Sequence, residues 1–301
     1  MKIATFILLA ALGVLALWYA VRWWLFERAR SVSSPNGARG PGLEYFALGL
    51  GTNFFDTLGI GNFAPTTAFF KFRSRVSDEN IPGTLNVGHA LPVVLEALIF
   101  ISVVAVDLVT LVAMIGAAVL GAWSGVGVVA RLSRRVIQAC MGVALLVAAV
   151  LFAAKNVDWL PVGGNAFGLN GAMLPFAAGV SYVLGALMML GIGFYAPCLI
   201  LVSLLGMNPL AAFPIMMGAC AFLMPIGGER FLRSGRYDRG AALGLTLGGI
   251  PGVLIAAFIV KSLPLVWLRW LVVSVVLYAS ILMLRSAARA PQAEIQRSGT
   301  T

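Results

Sequence analysis

Apolar runs of membrane length, separated by short polar knots, organise this chain almost from end to end. Residues 3–26, 81–105, 108–130, 136–154, 208–226, 241–260 and 264–284 each hold close to the ~20 residues that a helix needs to cross a bilayer. Two runs do not fit that length: 43–70 has 28 residues and 171–204 has 34. Straight helices at ~1.5 Å per residue would extend them to roughly 42 and 51 Å, against a hydrocarbon core of ~30 Å. Each over-long run contains one string in two versions, LGIGNFAP from Leu58 to Pro65 and LGIGFYAP from Leu190 to Pro197, 132 residues apart. The chain therefore carries an internal duplication. Each copy puts two glycines and a proline inside a hydrophobic stretch, and paired interruptions of this kind point to a substrate site in a secondary transporter.

Composition narrows the class. A chain of 301 residues that is 60% hydrophobic and 11% charged, with mean hydropathy +0.97, has too little polar surface for a soluble globular domain. Its solvent is the lipid bilayer. The net charge of +10 does not imply a nucleic-acid partner, because the basic residues form no single patch interleaved with aromatics. Instead 17 of the 21 lysines and arginines fall in five clusters, at 22–39, 71–75, 131–135, 230–239 and from Arg285 onward. Such clusters read as cytoplasmic loops of a multi-pass protein in a bacterial-type inner membrane, since translocation of positive charge is disfavoured. Cys140, Cys198 and Cys220 stand singly in apolar segments and read as buried small hydrophobes, with no metal or cofactor implied.

Orientation follows from the same clusters. Arg22, Arg28 and Arg30 follow the first apolar segment and set its N-terminus outside. A cleavable signal peptide ending near Ala20 is the competing reading, but signals carry their positive charge before the apolar core. Residues 27–42, rich in Ser, Gly and Arg, read as a flexible cytoplasmic connection. A single crossing by residues 43–70 would put the clusters at 71–75 and 131–135 outside. Folding each long run back at its LGIG puts every basic cluster, and the C-terminus, in the cytoplasm. The expected fold is an all-α polytopic inverted repeat, each copy a re-entrant broken-helix hairpin plus three transmembrane helices, with one extra helix in front. Its parts are 1–42 (helix and linker), 43–154 (first repeat), 155–170 (outer connection), 171–285 (second repeat) and 286–301 (basic tail). The two hairpin tips then meet near the midplane, where irregular backbone must be buried in protein or line a polar cavity.

The chemistry is expected at those tips. Gly59, Gly61, Gly191 and Gly193 permit tight turns and leave amide groups unshielded, and Pro65 and Pro197 suit the first turn of the returning half-helices. Half-helix N-termini facing one space favour an anion. Polar residues gather on the first copy: Thr52, Asn53, Asp56, Thr57, Asn62, Thr66 and Thr67, against Ser181, Tyr182, Tyr195 and Ser203 on the second. The only histidine lies in IPGTLNVGHALPVVLEA, where Asn86, His89, Val93 and Glu96 share one helical face and Pro92 interrupts the ladder. Ionisable groups at membrane depth are costly, so His89, Asp56 and Glu96 read as a proton relay or coupling site. The coupling ion is H⁺, or else Na⁺ held by Asp56 and Glu96. Substrate contacts are expected from Asn53, Thr57, Gly59, Gly61, Asn62, Asn86, His89, Gly191, Gly193 and Tyr195. Asp107 reads as an outer-surface residue without a role. Met188, Met189, Met216 and Met217 read as packing, and Trp18, Trp23, Trp24, Trp159, Trp267 and Trp270 as interfacial anchors. No P-loop, acid pair in an aqueous segment or nucleophile with a histidine partner suggests an enzyme. The alternative to an anion carrier is a cation channel or cation carrier with Asp56, His89 and Glu96 as its conducting row.

The duplicated LGIG-x-x-AP, the IPGTLNVGHA that follows the first copy, and RSGRYDRGAALGLTLGGIPGVLIAA in the second half together resemble the TauE/SafE family of sulfite exporters and anion permeases. The last stretch is similar to that family's basic G-x-x-D loop followed by a glycine-spaced helix with a Gly-x-Pro-Gly turn. The resemblance runs from about Leu43 to Leu284 and leaves out the first helix. It implies a transporter of small sulfur-containing or organic anions, such as sulfite or sulfonates, driven by an ion gradient. Where the family's tip often reads LGIGGG, Asn62 and Phe63, or Phe194 and Tyr195, follow the second glycine here, which makes the cavity smaller or more apolar. A homo-oligomer is compatible with all of this.

Overall fold

The computed structural model describes residues 2–33, 42–73, 76–77, 79–125, 164–189 and 192–260, with scattered positions inside 139–157 and 270–288. The expected spans 136–154 and 264–284, the loop 131–135 and the tail 286–301 lie wholly or largely outside the described residues, as do Cys140, Trp159, Trp267 and Gly191. Among the described residues the protein is helical, with a single isolated bridge between Ala166 and Met207. By length and composition, among the described residues Ile3–Ala29, Pro209–Ser234 and Arg239–Ile259 can each cross a membrane, with a fourth span where a bent pair of helices is counted as one. The chain is a membrane protein.

Helix α1 (Lys2–Ser33) is continuous because nothing in its apolar sequence breaks it. Leu8, Leu12, Ala16, Tyr19 and Trp23 recur at helical spacing and pack on the core, while Ile3, Phe6, Val14 and Leu17 face outward. Only 11% of its apolar stretch is buried, against 83% for the Pro209–Ser234 span, so α1 is peripheral and that span is central. The helix runs past its expected end. Glu27, assigned from sequence to a flexible connection, is helical and buried, paired with Arg239 at 2.6 Å and accepting the hydroxyl of Tyr237. Trp23 is likewise a core residue and not an interfacial anchor, with its ring 6.2 Å from that of Tyr19.

The first over-long run is two helices, α2 (Leu43–Thr57) and α3 (Phe63–Arg73). The break is a Schellman turn: Gly59 N–H donates to Asp56 O at 2.7 Å and Ile60 N–H to Phe55 O at 3.1 Å, with Gly59 at φ +92°. Gly61 at φ +85° then lets the chain reverse into α3, whose first turn holds Pro65, where a missing N–H leaves no bond unmade. The second run breaks in the same register. Helices α7 (Met173–Met188) and α8 (Tyr195–Leu204) flank a turn in which Ile192 N–H donates to Leu187 O at 3.3 Å, 132 residues from the Ile60–Phe55 bond.

Between the two runs lie α4 (Ile81–Gly88), α5 (Ala90–Val103) and α6 (Leu108–Leu120). Helices α4 and α5 are together long and apolar enough for one span and are bent by 43° at His89. Pro92 causes the bend from three residues further on, because it has no N–H for the carbonyl of Gly88. That carbonyl is not left bare: the Thr246 hydroxyl donates to it at 2.6 Å. Asp107, expected to have no role, caps α6. Its Oδ2 accepts from Thr110 N–H at 2.9 Å and from the Thr110 hydroxyl at 3.0 Å.

Helix α9 (Ala212–Ser234) extends beyond its expected end at Ile226 because Glu229 and Arg233 pair across one turn, and it stops at Gly235 in the left-handed region. Helix α10 (Arg239–Val260) lies directly on α2. Gly244, Gly248 and Gly252 form a stripe at four-residue spacing where a Cβ would collide with Tyr45, Phe46 and Leu50 of α2. Small residues are what permit that approach without a hydrophobic drive between helices in lipid.

Contacts at the two ends of this bundle differ. At one end the Tyr45 and Phe70 rings meet edge-on at 6.3 Å, bringing the start of α2 to the end of α3. The same end holds Arg22 with Glu229 at 2.8 Å, Glu27 with Arg239, and Asp238 N–H with the Thr84 hydroxyl at 2.9 Å. At the far end of α4–α5, Asp107 N–H donates to Phe167 O at 2.7 Å and Asn208 N–H to Ala166 O at 2.8 Å. The segment that leads into α7 and the one that leaves α8 are therefore joined there.

Candidate functional site

The break between α2 and α3 faces the bend between α4 and α5, and polar side chains fill the space between them. Asn53 holds the centre. Its amide nitrogen donates to Gly49 O at 2.8 Å, which fixes the side-chain orientation and leaves Oδ1 as an acceptor. His89 Nδ1 lies 3.1 Å from that oxygen, so Nδ1 carries hydrogen, and His89 Nε2 lies 3.1 Å from the Thr66 hydroxyl. Both ring nitrogens are thus occupied by α2 and α3, and the ring sits 6.3 Å from that of Phe63. The bend at Gly88–His89 is what turns the imidazole toward the hairpin. Histidine therefore ties three helix segments together, and both of its nitrogens are spent on protein groups.

The carboxyls occupy a second layer. Asn62, in the loop that enters α3, donates to Asp56 Oδ2 at 2.6 Å and to Asn53 Oδ1 at 3.2 Å. Glu96, two turns along α5 from His89, meets Thr57 Oγ1 at 3.0 Å and receives the Tyr195 hydroxyl at 2.8 Å. Asp56 precedes Thr57 in α2, so its carboxyl and that of Glu96 both lie beside the first break and interact electrostatically. Asp56, Thr57, Asn62, His89, Glu96 and Asn53 are buried, and Tyr195 with them. Tyr195 is the first residue of α8, so its hydrogen bond joins the second break to Glu96 of α5, which in turn meets Thr57 at the first break. A Cβ built on Gly61 would lie 3.8 Å from the Cβ of Tyr195, so the two breaks are in contact.

Most of the residues expected from sequence therefore converge: Asn53, Asp56, Thr57, Gly59, Gly61, Asn62, His89, Glu96 and Tyr195. Asn86 does not join them. It is buried on α4, its amide donates back to Pro82 O at 2.9 Å and its Oδ1 has no partner among the described residues. The helical face shared by Asn86, His89, Val93 and Glu96 is divided by the bend, so His89 meets Asn53 and Thr66 while Glu96 meets Thr57 and Tyr195. Gly193 has open space around it and no left-handed φ, unlike Gly61.

Three further contributors were not singled out from sequence as site residues. Thr66 stands one turn into α3, Thr246 caps the Gly88 carbonyl from α10, and Cys220 of α9 lies behind Tyr195 with its thiol 3.4 Å from Met188 Sδ. Pro92 was the available signal for Thr246, since a proline four residues after a carbonyl demands another donor. Among the described residues no group of three or more His, Cys, Asp or Glu could hold a metal ion. Compared with protein-family models, curated proteins and solved structures, the chain matches none.

Proposed function

We propose that this protein is a secondary transporter that carries a small anion, such as sulfite, a sulfonate or a related organic anion, across the inner membrane by alternating access, driven by an ion gradient. The observation that supports it most directly is the contact between two matched helix breaks, Gly61 against Tyr195, lined by buried polar side chains in an otherwise apolar helical chain. Buried irregular backbone at the centre of a membrane protein is expensive, and substrate passage is its usual use. The amides opening α3 and α8 provide the positive dipole ends that suit an anion. In this reading the two repeats are inverted. Support comes from the Tyr45–Phe70 contact at the basic end and the Asn208–Ala166 bond at the other, which give each broken helix a closed hairpin form from opposite ends. The same reading puts the arginine-rich end in the cytoplasm, the N-terminus outside, and the family likeness to TauE/SafE permeases on residues 43–284.

One observation favours a second reading. The space between the breaks holds two carboxyls, and their hydrogen-bond partners among the described residues are Asn62, Thr57 and Tyr195 with no lysine or arginine. A cation carrier or channel built on Asp56 and Glu96 would use that charge directly. Proteoliposomes distinguish the two. Saturable, gradient-coupled uptake of labelled sulfite, a sulfonate or a carboxylate is the expected result, and cation-selective current at channel rates would refute the anion carrier.

A further inference from the structure

The polar cluster has fewer hydrogens than its acceptors call for. Asn62 has two amide hydrogens and spends both, on Asp56 Oδ2 and Asn53 Oδ1. His89 Nδ1–H goes to Asn53, and the Thr66 hydroxyl goes to His89 Nε2. The Tyr195 hydroxyl goes to Glu96 Oε2. Thr57 then faces two acceptors with one hydrogen: Asn53 O at 2.8 Å and Glu96 Oε1 at 3.0 Å. The nearer acceptor is the carbonyl one turn back, the ordinary partner of a helical threonine. If that carbonyl takes the hydrogen, the contact between Thr57 Oγ1 and Glu96 Oε1 has none unless the carboxyl supplies it. Asp56 Oδ1 is also buried without a hydrogen-bond partner among the described residues.

We propose that Asp56 and Glu96 form a binding site for one exchangeable proton, carried by Glu96 and turned toward Thr57 while Asp56 stays charged; its role as coupling ion rests on the transport reading above. Two adjacent carboxylates in a dry site cannot both stay ionised, and one proton removes the conflict. The short bond from Asn62 marks Asp56 as the charged member and Glu96 as the neutral acid that donates to Thr57. Sodium fits less well, because a hard cation needs several oxygens converging on one point. Here three of the four carboxyl oxygens are committed to Asn62, Thr57 and Tyr195. Among the described residues the other titratable groups facing the pair are the Tyr195 phenol of α8 and the Cys220 thiol of α9. His89, from the α4–α5 bend, has both nitrogens engaged. Loss of the proton leaves two charges close together, and parting α2 from α5, or α8 from both, relieves them. Tyr195 is the positioning residue that ties this event to the second break.

Infrared difference spectroscopy of the full chain in liposomes, in H₂O and D₂O, tests the proton without requiring a known substrate. The wild type is expected to show a deuterium-sensitive protonated-carboxyl stretch at neutral pH that is lost in Glu96→Gln and shifted in Asp56→Asn. Tyr195→Phe removes one hydroxyl and no charge, so it should fold and should keep the band at higher frequency. No such band in the wild type, or a band unchanged in both carboxyl variants, overturns the proposal. If those variants do not fold, an unshifted band in Tyr195→Phe overturns it alone. Thermal stabilisation of the wild type by NaCl but not by choline chloride, with no carboxyl band, assigns the site to Na⁺ and also overturns it. Failure of sulfite, sulfonate and carboxylate uptake while the band persists supports the proton site and counts against the transport reading only.

Discussion

The bend at His89 orients the polar cluster, and Thr246 is the residue that makes the bend tolerable, so Thr246→Val is the most informative single change. Valine keeps the branched shape and removes one hydroxyl that donates to Gly88 O at 2.6 Å in a buried position. Because Pro92 has no N–H to replace it, the carbonyl is left without a partner. A buried acceptor stripped of its donor costs about 1–3 kcal/mol. At ~2–4 °C per kcal/mol for chains of 150–250 residues, the melting temperature should fall by roughly 2–12 °C. Thermal unfolding in detergent measures this, with Thr246→Ser expected to stay near wild type. A double-mutant cycle isolates the cause. Pro92→Ala restores an N–H four residues after Gly88, so Thr246→Val should be less damaging by about 0.5–1.5 kcal/mol in that background, even though Pro92 also packs on Gly249. Wild-type stability of Thr246→Val, or strict additivity of the two changes, would refute the account of the bend.

The two breaks should also differ in tolerance. Gly61→Ala puts a side chain at φ +85° and should cost roughly 1–2 kcal/mol, whereas Gly193→Ala enters open space at an ordinary φ and should stay within ~0.5 kcal/mol; equal melting shifts would refute the asymmetry. For orientation, Arg73→Cys and Arg233→Cys, both exposed, should react with an impermeant thiol reagent from the cytoplasmic side only. Labelling from opposite sides would eliminate one of the hairpins.

The membrane class, both helix breaks and their shared register were legible in the sequence because each depends on local composition. A run of apolar residues longer than a bilayer has to bend or fold back, and Gly59, Gly61 and Pro65 are residues whose backbone preferences act at their own position. Gly193 shows the limit: the same letters in the second copy do not require a left-handed backbone. The candidate polar residues were also identifiable, since an Asp, a Glu and a His are costly in apolar surroundings wherever they face. Their partners were not. Glu96 meets Tyr195 across 99 residues and Gly88 meets Thr246 across 158. Glu27 is drawn into α1 by Tyr237 and Arg239 from beyond position 230. Such pairings depend on how close two helices come, which glycine stripes and one proline bend decide jointly. Asn86, on the same expected face as His89, was turned away by that bend. The sequence by itself therefore determined where the chain breaks and which side chains must be sheltered. Only the tertiary structure decided which of them shelter one another, because a hydrogen bond requires an approach of about 3 Å that no periodicity encodes.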